Sequence, residues 1–151
     1  LSSSSAASDV YKRQLLTGSK LGSVDEAVRV ARQLRGRGPD VVVITSLATP
    51  DIPADQLCTL AVNGEGAWLV NTPRLALHPL PNGMGDVFSA TLLARLLSGH
   101  ALPQALELAT ATLYALVQET SEGSRDLPLV RAQEQIVEPA QRYSASEVVS
   151  Q

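Results

Sequence analysis

The residues of this chain best equipped for chemistry stand side by side: Gly83, Met84, Gly85 and Asp86, directly before an apolar run reading "VFSATLLARLLSG". The first N–H groups of a helix have no partners within it. Where the entrance is almost free of side chains, those donors and the positive end of the helix dipole can approach an anion closely, and phosphate is the natural guest. The same field favours the ionised carboxylate of Asp86, which can then accept a proton from a hydroxyl. An anion cradle beside a carboxylate base is the apparatus for moving a phosphoryl group onto an alcohol. The spacing suits a tight glycine turn with an ordinary first-turn acid equally well. Neither a Lys-Ser or Lys-Thr pair after the glycines nor a GxGxxG pattern is present, so the longer phosphate-binding motifs are excluded.

A second candidate is the hydroxyl pair Thr45-Ser46, which ends the run "VVVITS". Ligands of open α/β sheets collect at the carboxyl ends of strands. Hydroxyl residues also end many strands simply as turn formers.

The elements that position these residues can be read from pattern. "SVDEAVRVARQLRGRGPD" offers Ser23 as N-cap, Asp25 and Glu26 in a first turn, apolar residues at helical spacing, and Gly36 and Gly38 as a stop. The β-branched run from Val41 to Ile44 predicts a strand buried on both faces, the pattern of parallel sheets. A helix followed by such a strand predicts an α/β layer. "TPDIPADQ" reads as loop, and "LCTLAVN", Gly64-Glu65-Gly66 and "AWLVNTPRLAL" as strand, hairpin turn and strand, with a further extended piece from Leu75 to Leu80. After Asp86 come two helices rich in Ala and Leu, joined by "GHA", and a shorter third in "LPLVRAQEQIVEP", ended by Pro139.

The bulk composition narrows the field. The 151 residues are 44% hydrophobic, enough for a real core, and the net charge is -3, with Lys+Arg 12 against Asp+Glu 15. With no long basic block, nucleic acid and anionic membranes are not expected partners. No stretch reaches the roughly 20 apolar residues of a membrane span. A single cysteine, Cys58, and two distant histidines, His78 and His100, offer neither a disulfide nor a zinc site. A cytoplasmic setting is the expectation. Cys58 reads as a small buried hydrophobe, Trp68 as strand packing, Tyr114 as core, His100 as a solvated loop residue, and Glu107, Glu119 and Glu122 as a solvated helix face and its end. Residues 1–14, "LSSSSAASDVYKRQ", differ abruptly in composition from the chain beyond Leu15 and resemble translated adapter or vector sequence, with a natural disordered tail as the alternative. The expected organisation is therefore that segment and then residues 15–151 as one folded part.

"GMGDVFSATLLARLLSGHALPQALELATATLYALVQET", with "GPDVVVITS" upstream and "RAQEQIVEPAQRYSASEV" at the end, resembles the C-terminal half of a pyridoxal kinase. The resemblance implies a ribokinase-like α/β fold: the C-terminal part of a single kinase domain, with a mostly parallel central sheet flanked by helices. It implies phosphorylation of the 5'-hydroxymethyl group of pyridoxal, pyridoxine or pyridoxamine by ATP with Mg²⁺, a monovalent cation as a further helper, and a homodimer. On this resemblance Asp86 is the catalytic base and contacts the substrate, and Gly83, Met84 and Gly85 form the anion hole. Thr45 and Ser46 fall at the ATP phosphates, and Leu77, His78 and Pro79, on the strand leading into the motif, contact the nucleotide. The sequence departs from the family pattern twice. Met84 stands where Thr or Val is usual, and "SDVYKRQ" stands where an N-x-x-E motif organises the metal. A kinase of the same superfamily acting on hydroxymethylpyrimidine or a sugar, and a catalytically incomplete nucleotide-binding fragment, are the alternatives.

Overall fold

The computed structural model describes residues 21–149. The segment 1–14 lies outside them, as do residues 15–20. The described residues fall into two compact units, one holding residues up to Pro73 together with Ala145 onward, the other running from Arg74 to Ser144.

The first unit is a four-stranded sheet with one helix. Helix α1 (Val24–Arg35) starts at Ser23, whose hydroxyl accepts the Glu26 N–H, and stops at Gly36. Strands β1 (Val42–Leu47), β2 (Gln56–Val62), β3 (Ala67–Pro73) and β4 (Ala145–Glu147) lie in the order β1-β2-β3-β4. Ala27, Val28 and Ala31 of α1 form one apolar core with Ile44, Leu47, Leu60 and Val62 of the sheet. Residues 63–66 turn β2 into β3 as expected: the Asn63 side-chain oxygen accepts the N–H groups of Glu65 (2.8 Å) and Gly66 (3.1 Å). Gly66 is crowded: a Cβ there would sit 3.0 Å from the Trp68 ring, which would have to give way. Trp68 is half-buried strand packing, in line with its reading from sequence.

The α/β class is as expected, but this sheet runs antiparallel throughout rather than mostly parallel. Parallel neighbours need a crossover of a dozen residues or more, usually a helix. Between β1, β2 and β3 the links are the short loop 48–55 and the hairpin 63–66, too short for a crossover helix, so they return the chain alongside itself. Correspondingly, β1 is not sealed on both faces. Val42 and Ile44 are buried while Val43 and Thr45 are half-buried, so the β-branched run is an alternating strand.

The second unit is helical. Helix α2 (Met84–Leu97) and helix α3 (Leu102–Gln118) pack together, and α3 buries Leu106, Ala109, Thr112 and Leu116. The expected third helix is reduced to α4 (Gln133–Val137), with residues 128–132 in turns. What replaces the lost helical turn is side-chain bonding. Arg95 donates from Nη2 to the carbonyls of Ile136 (2.9 Å) and Val137 (2.6 Å), and the Thr112 hydroxyl donates to the Gln135 carbonyl (3.0 Å). Residues 74–80 form no strand. Pro79 and Pro81 lack the N–H that a ladder requires, which explains why the expected extended piece stays irregular. No helix among the described residues is long and apolar enough to cross a membrane.

Candidate active site

Gly83 adopts φ 78°, ψ 3°, the left-handed conformation that an L side chain resists. It is the N-cap of α2, and no side chain caps the helix. The chain enters this cap anchored by the Asn82 N–H, which donates to the Arg125 carbonyl at 2.8 Å. Because the first intrahelical bond here runs from the Val87 N–H to the Gly83 carbonyl (2.9 Å), Met84, Gly85 and Asp86 are the first three helical residues. This corrects the expected turn: Met84 and Gly85 belong to the helix itself, and no side chain caps its first-turn donors. A Cβ on Gly83 would meet nothing within 4 Å, so the cap residue itself is uncrowded.

Asp86 is the only acid of that first turn and is exposed. Downstream, the Ser89 hydroxyl donates to the Gly85 carbonyl at 2.8 Å, and the Thr91 hydroxyl to Val87 at 2.8 Å. Both hydroxyls are thus held by their own helix, leaving Asp86 as the group of this turn able to take a proton.

Thr45 and Ser46 belong to the sheet unit, and the strand is irregular at them. Ile44 pairs with Leu60 and Leu47 with Cys58, so Thr45 and Ser46 together oppose Thr59 alone. That is a β-bulge, a device that redirects side chains and is frequent beside active sites. Ser46 carries φ 52°, the one positive-φ residue other than glycine among those described, and it is exposed while Thr45 is half-buried. Sequence reasoning had the hydroxyl pair but not the bulge, since nothing local in "VVVITS" marks a register shift. Leu77 and Pro79 are half-buried and His78 is exposed, on the irregular segment rather than on a strand. The His78–Pro79 peptide is cis.

Several other polar groups have structural partners. The Asp51 carboxylate, in the loop after β1, accepts the Val24 N–H at 2.9 Å; the Thr49 hydroxyl beside it and that N–H hold its carboxyl below the usual range. Burial, helped by the negative charge of Asp51, pushes the Cys58 thiol up to about 11, and its sulfur lies 3.0 Å from the Asn71 side-chain oxygen. Cys58 is buried, as its sequence reading has it. His100 is not simply solvated: it is half-buried, with Nδ1 3.1 Å from the Arg95 carbonyl at the end of α2. Tyr114 meets Tyr143 edge to face at 5.0 Å, and burial raises the Tyr143 hydroxyl to about 12. Among the described residues no three His, Cys, Asp or Glu side chains gather, so these residues do not by themselves make a metal site.

The α/β fold is that of ribokinase-like proteins. Solved structures agree on the fold. The chain superposes on pyridoxal kinase from Leishmania donovani in complex with ADP with a TM-score of 0.79, at 20% identity, covering 93% of this chain and 50% of that one. Against Plasmodium falciparum PdxK with AMP-PNP and PL the TM-score is 0.76, at 18% identity, covering 93% and 48%. The profile of the family described as phosphomethylpyrimidine kinase matches residues 7–129, and the chain belongs to that family. Among curated relatives, the pyridoxal kinase PdxY of Deinococcus radiodurans is 40% identical over 143 residues, 91% of this chain and 48% of the relative. That of Rubrobacter xylanophilus is 36% identical over 140 residues, again 91% and 48%. The chain thus spans about half the length of these relatives, in their C-terminal region.

Proposed function

We propose that this chain is the C-terminal part of a single ribokinase-like kinase domain that transfers the γ-phosphoryl group of ATP to the 5'-hydroxymethyl group of pyridoxal or a related B6 vitamer. The observation that carries the reading is the start of α2: an uncapped helix N-terminus at a left-handed Gly83, with Asp86 exposed in its first turn. It occurs in a chain 40% identical to a pyridoxal kinase over most of its own length.

In this reading the substrate hydroxyl donates its proton to the Asp86 carboxylate as the hydroxyl oxygen attacks phosphorus. The N–H groups of the Gly83, Met84 and Gly85 segment donate to the oxygens of the transferring group, whose charge grows in the transition state. Backbone donors are indifferent to the side chain at position 84, so Met84 is compatible with this role. Thr45 and Ser46, re-aimed by the bulge, contact the ATP phosphates, and Leu77, His78 and Pro79 contact the nucleotide. Mg²⁺ would be held chiefly through the nucleotide's own phosphates, as is usual for this ion, with a monovalent cation as helper. The L. donovani enzyme solved with ADP and the P. falciparum protein solved with AMP-PNP support nucleotide binding. The working protein is a homodimer in the cytoplasm, a state sedimentation would read directly.

The family's description, phosphomethylpyrimidine kinase, supports keeping a second substrate class, a substituted methylpyrimidine such as hydroxymethylpyrimidine. A panel of pyridoxal, pyridoxine, pyridoxamine, hydroxymethylpyrimidine and ribose, offered with ATP and Mg²⁺ to the protein expressed from its full reading frame, separates the two. The expected result is fastest phosphorylation of a B6 vitamer. Turnover of the pyrimidine or the sugar alone overturns the choice.

A further inference from the structure

Helix α2 is bonded at both ends to one segment, residues 119–140, which follows α3. At its N-terminal end the Asn82 N–H, directly before the Gly83 cap, donates to the Arg125 carbonyl at 2.8 Å. The peptide carrying that carbonyl is itself fixed, because its other edge, the Asp126 N–H, donates to the Ser124 hydroxyl oxygen at 3.2 Å. At the C-terminal end of α2, Nη2 of Arg95 donates to the carbonyls of Ile136 and Val137. Between these points the segment closes on Glu119: the Arg131 guanidinium donates to its carbonyl, and the Gln135 amide donates to its carboxylate at 3.2 Å. Packing alone grips α2 lightly. Phe88 and Leu92 are its buried residues, while Leu93 and Leu97 form an exposed stripe.

We infer that Arg95 and Ser124 are positioning residues for the candidate anion cradle, acting on the first turn of α2 through residues 119–140. A helix is a stiff rod, and its rise of about 1.5 Å per residue puts Arg95 roughly 13 Å along the axis from Asp86. A rod pinned at one end pivots, so releasing Arg95 moves Asp86 and the first-turn N–H groups from that distance. Phosphoryl transfer feels such a movement, since a misplacement of about 1 Å costs about 10²-fold in rate. Both bonds of Arg95 come from one nitrogen, so a lysine ammonium with its three donors can stand in for it and an alanine cannot. The inference rests on the kinase reading for the cost in rate, and not for the coupling between the two ends of the helix.

The test uses the protein from its full reading frame. Amide hydrogen exchange is followed at Val87, whose N–H closes the first turn on the Gly83 carbonyl, with the amides of β2 as reference. Arg95→Ala and Ser124→Ala should each speed exchange at Val87 about tenfold or more and leave β2 unchanged, while Arg95→Lys exchanges at the parent rate. In turnover, Arg95→Ala should lower kcat about tenfold to 10²-fold and Ser124→Ala less, with KM for ATP and pyridoxal within about twofold and kcat recovered in Arg95→Lys. If Arg95→Ala does not fold, Ser124→Ala, whose bonds lie in an exposed loop, carries the test by itself. Exchange at Val87 indifferent to the alanine variants, an increase shared equally by β2, no recovery in Arg95→Lys, or an unchanged kcat in an active protein overturns the inference. The expected exchange pattern in a parent protein that does not phosphorylate pyridoxal upholds the coupling and overturns the kinase reading instead.

Discussion

At the start of α1 the Ser23 hydroxyl accepts the Glu26 N–H, the Glu26 carboxylate accepts the Gly22 N–H at 2.6 Å, and Asp51 reaches back from the loop after β1 to the Val24 N–H. At the start of α2 there is Gly83 and no side-chain cap. Both helices begin with the same unpaired donors. In α1 the protein's own oxygens take the Val24 and Glu26 N–H groups, which ties the helix start to Ser23 and to the loop after β1. In α2 no side chain takes them, and in the proposed function they meet an acceptor from outside. The contrast extends beyond the caps: α1 buries Ala27, Val28 and Ala31 in a closed core, while α2 turns Leu93 and Leu97 to solvent. One helix start is closed by the protein's own side chains; the other carries no side-chain cap, as the proposed site requires.

That contrast can be broken at several points. In the protein from its full reading frame, Asp86→Asn should lower the rate of phosphoryl transfer by about 10²–10⁴, the contribution of a general base, with ATP affinity nearly unchanged by calorimetry. An unchanged rate removes Asp86 from the mechanism. Leu60→Ala, in the sheet core, should cost about 2–5 kcal/mol in denaturant unfolding, whereas Leu93→Ala, on the exposed stripe of α2, should stay within about 0.5 kcal/mol in the chain alone. Gly83→Ala meets no steric obstacle but must hold a left-handed backbone, at a cost of about 1–2 kcal/mol, and should reduce turnover as the cap distorts. Ser23→Ala should cost about 1 kcal/mol and leave turnover untouched, since α1 takes no part in the chemistry.

The smallest effect is a pH dependence. Burial raises the Cys58 thiol from 9.0 to about 11, so the folded state favours the neutral form. Its contribution to stability is fully present below pH 9.0 and is lost as pH rises toward about 11. Unfolding followed across that window should show a decline that Cys58→Ala flattens.

How much of this is legible in the sequence depends on how local each feature is. The cap at Ser23, the stop at Gly36 and the hairpin at residues 63–66 rest on a few neighbouring residues, and the structure has them where the sequence pattern places them. The direction of the sheet does not: an apolar run such as Val41 to Ile44 carries no record of its partner, and only the short loop 48–55 makes β1 and β2 antiparallel. The bulge at Thr45 and Ser46 is a matter of register between strands, so it is equally invisible along one of them. The acid of the candidate site was legible because chemistry needs particular residue types. The residue at which α2 begins was less so, because two glycines in three positions leave open which of them takes the left-handed conformation. The exposure of Leu93 and Leu97 is beyond any reading of periodicity, since the helix they sit on is apolar on nearly every side.

The central claim is that the start of α2 is an open anion cradle and the start of α1 is not. It is tested most directly by following backbone amide resonances as ADP, Mg²⁺ and aluminium fluoride, which mimics the transferring phosphoryl group, are added to the full-length protein. The amides of Met84, Gly85 and Asp86 should shift while those of Val24, Asp25 and Glu26 stay in place. No movement at Met84 to Asp86, or equal movement at both helix starts, would contradict the account.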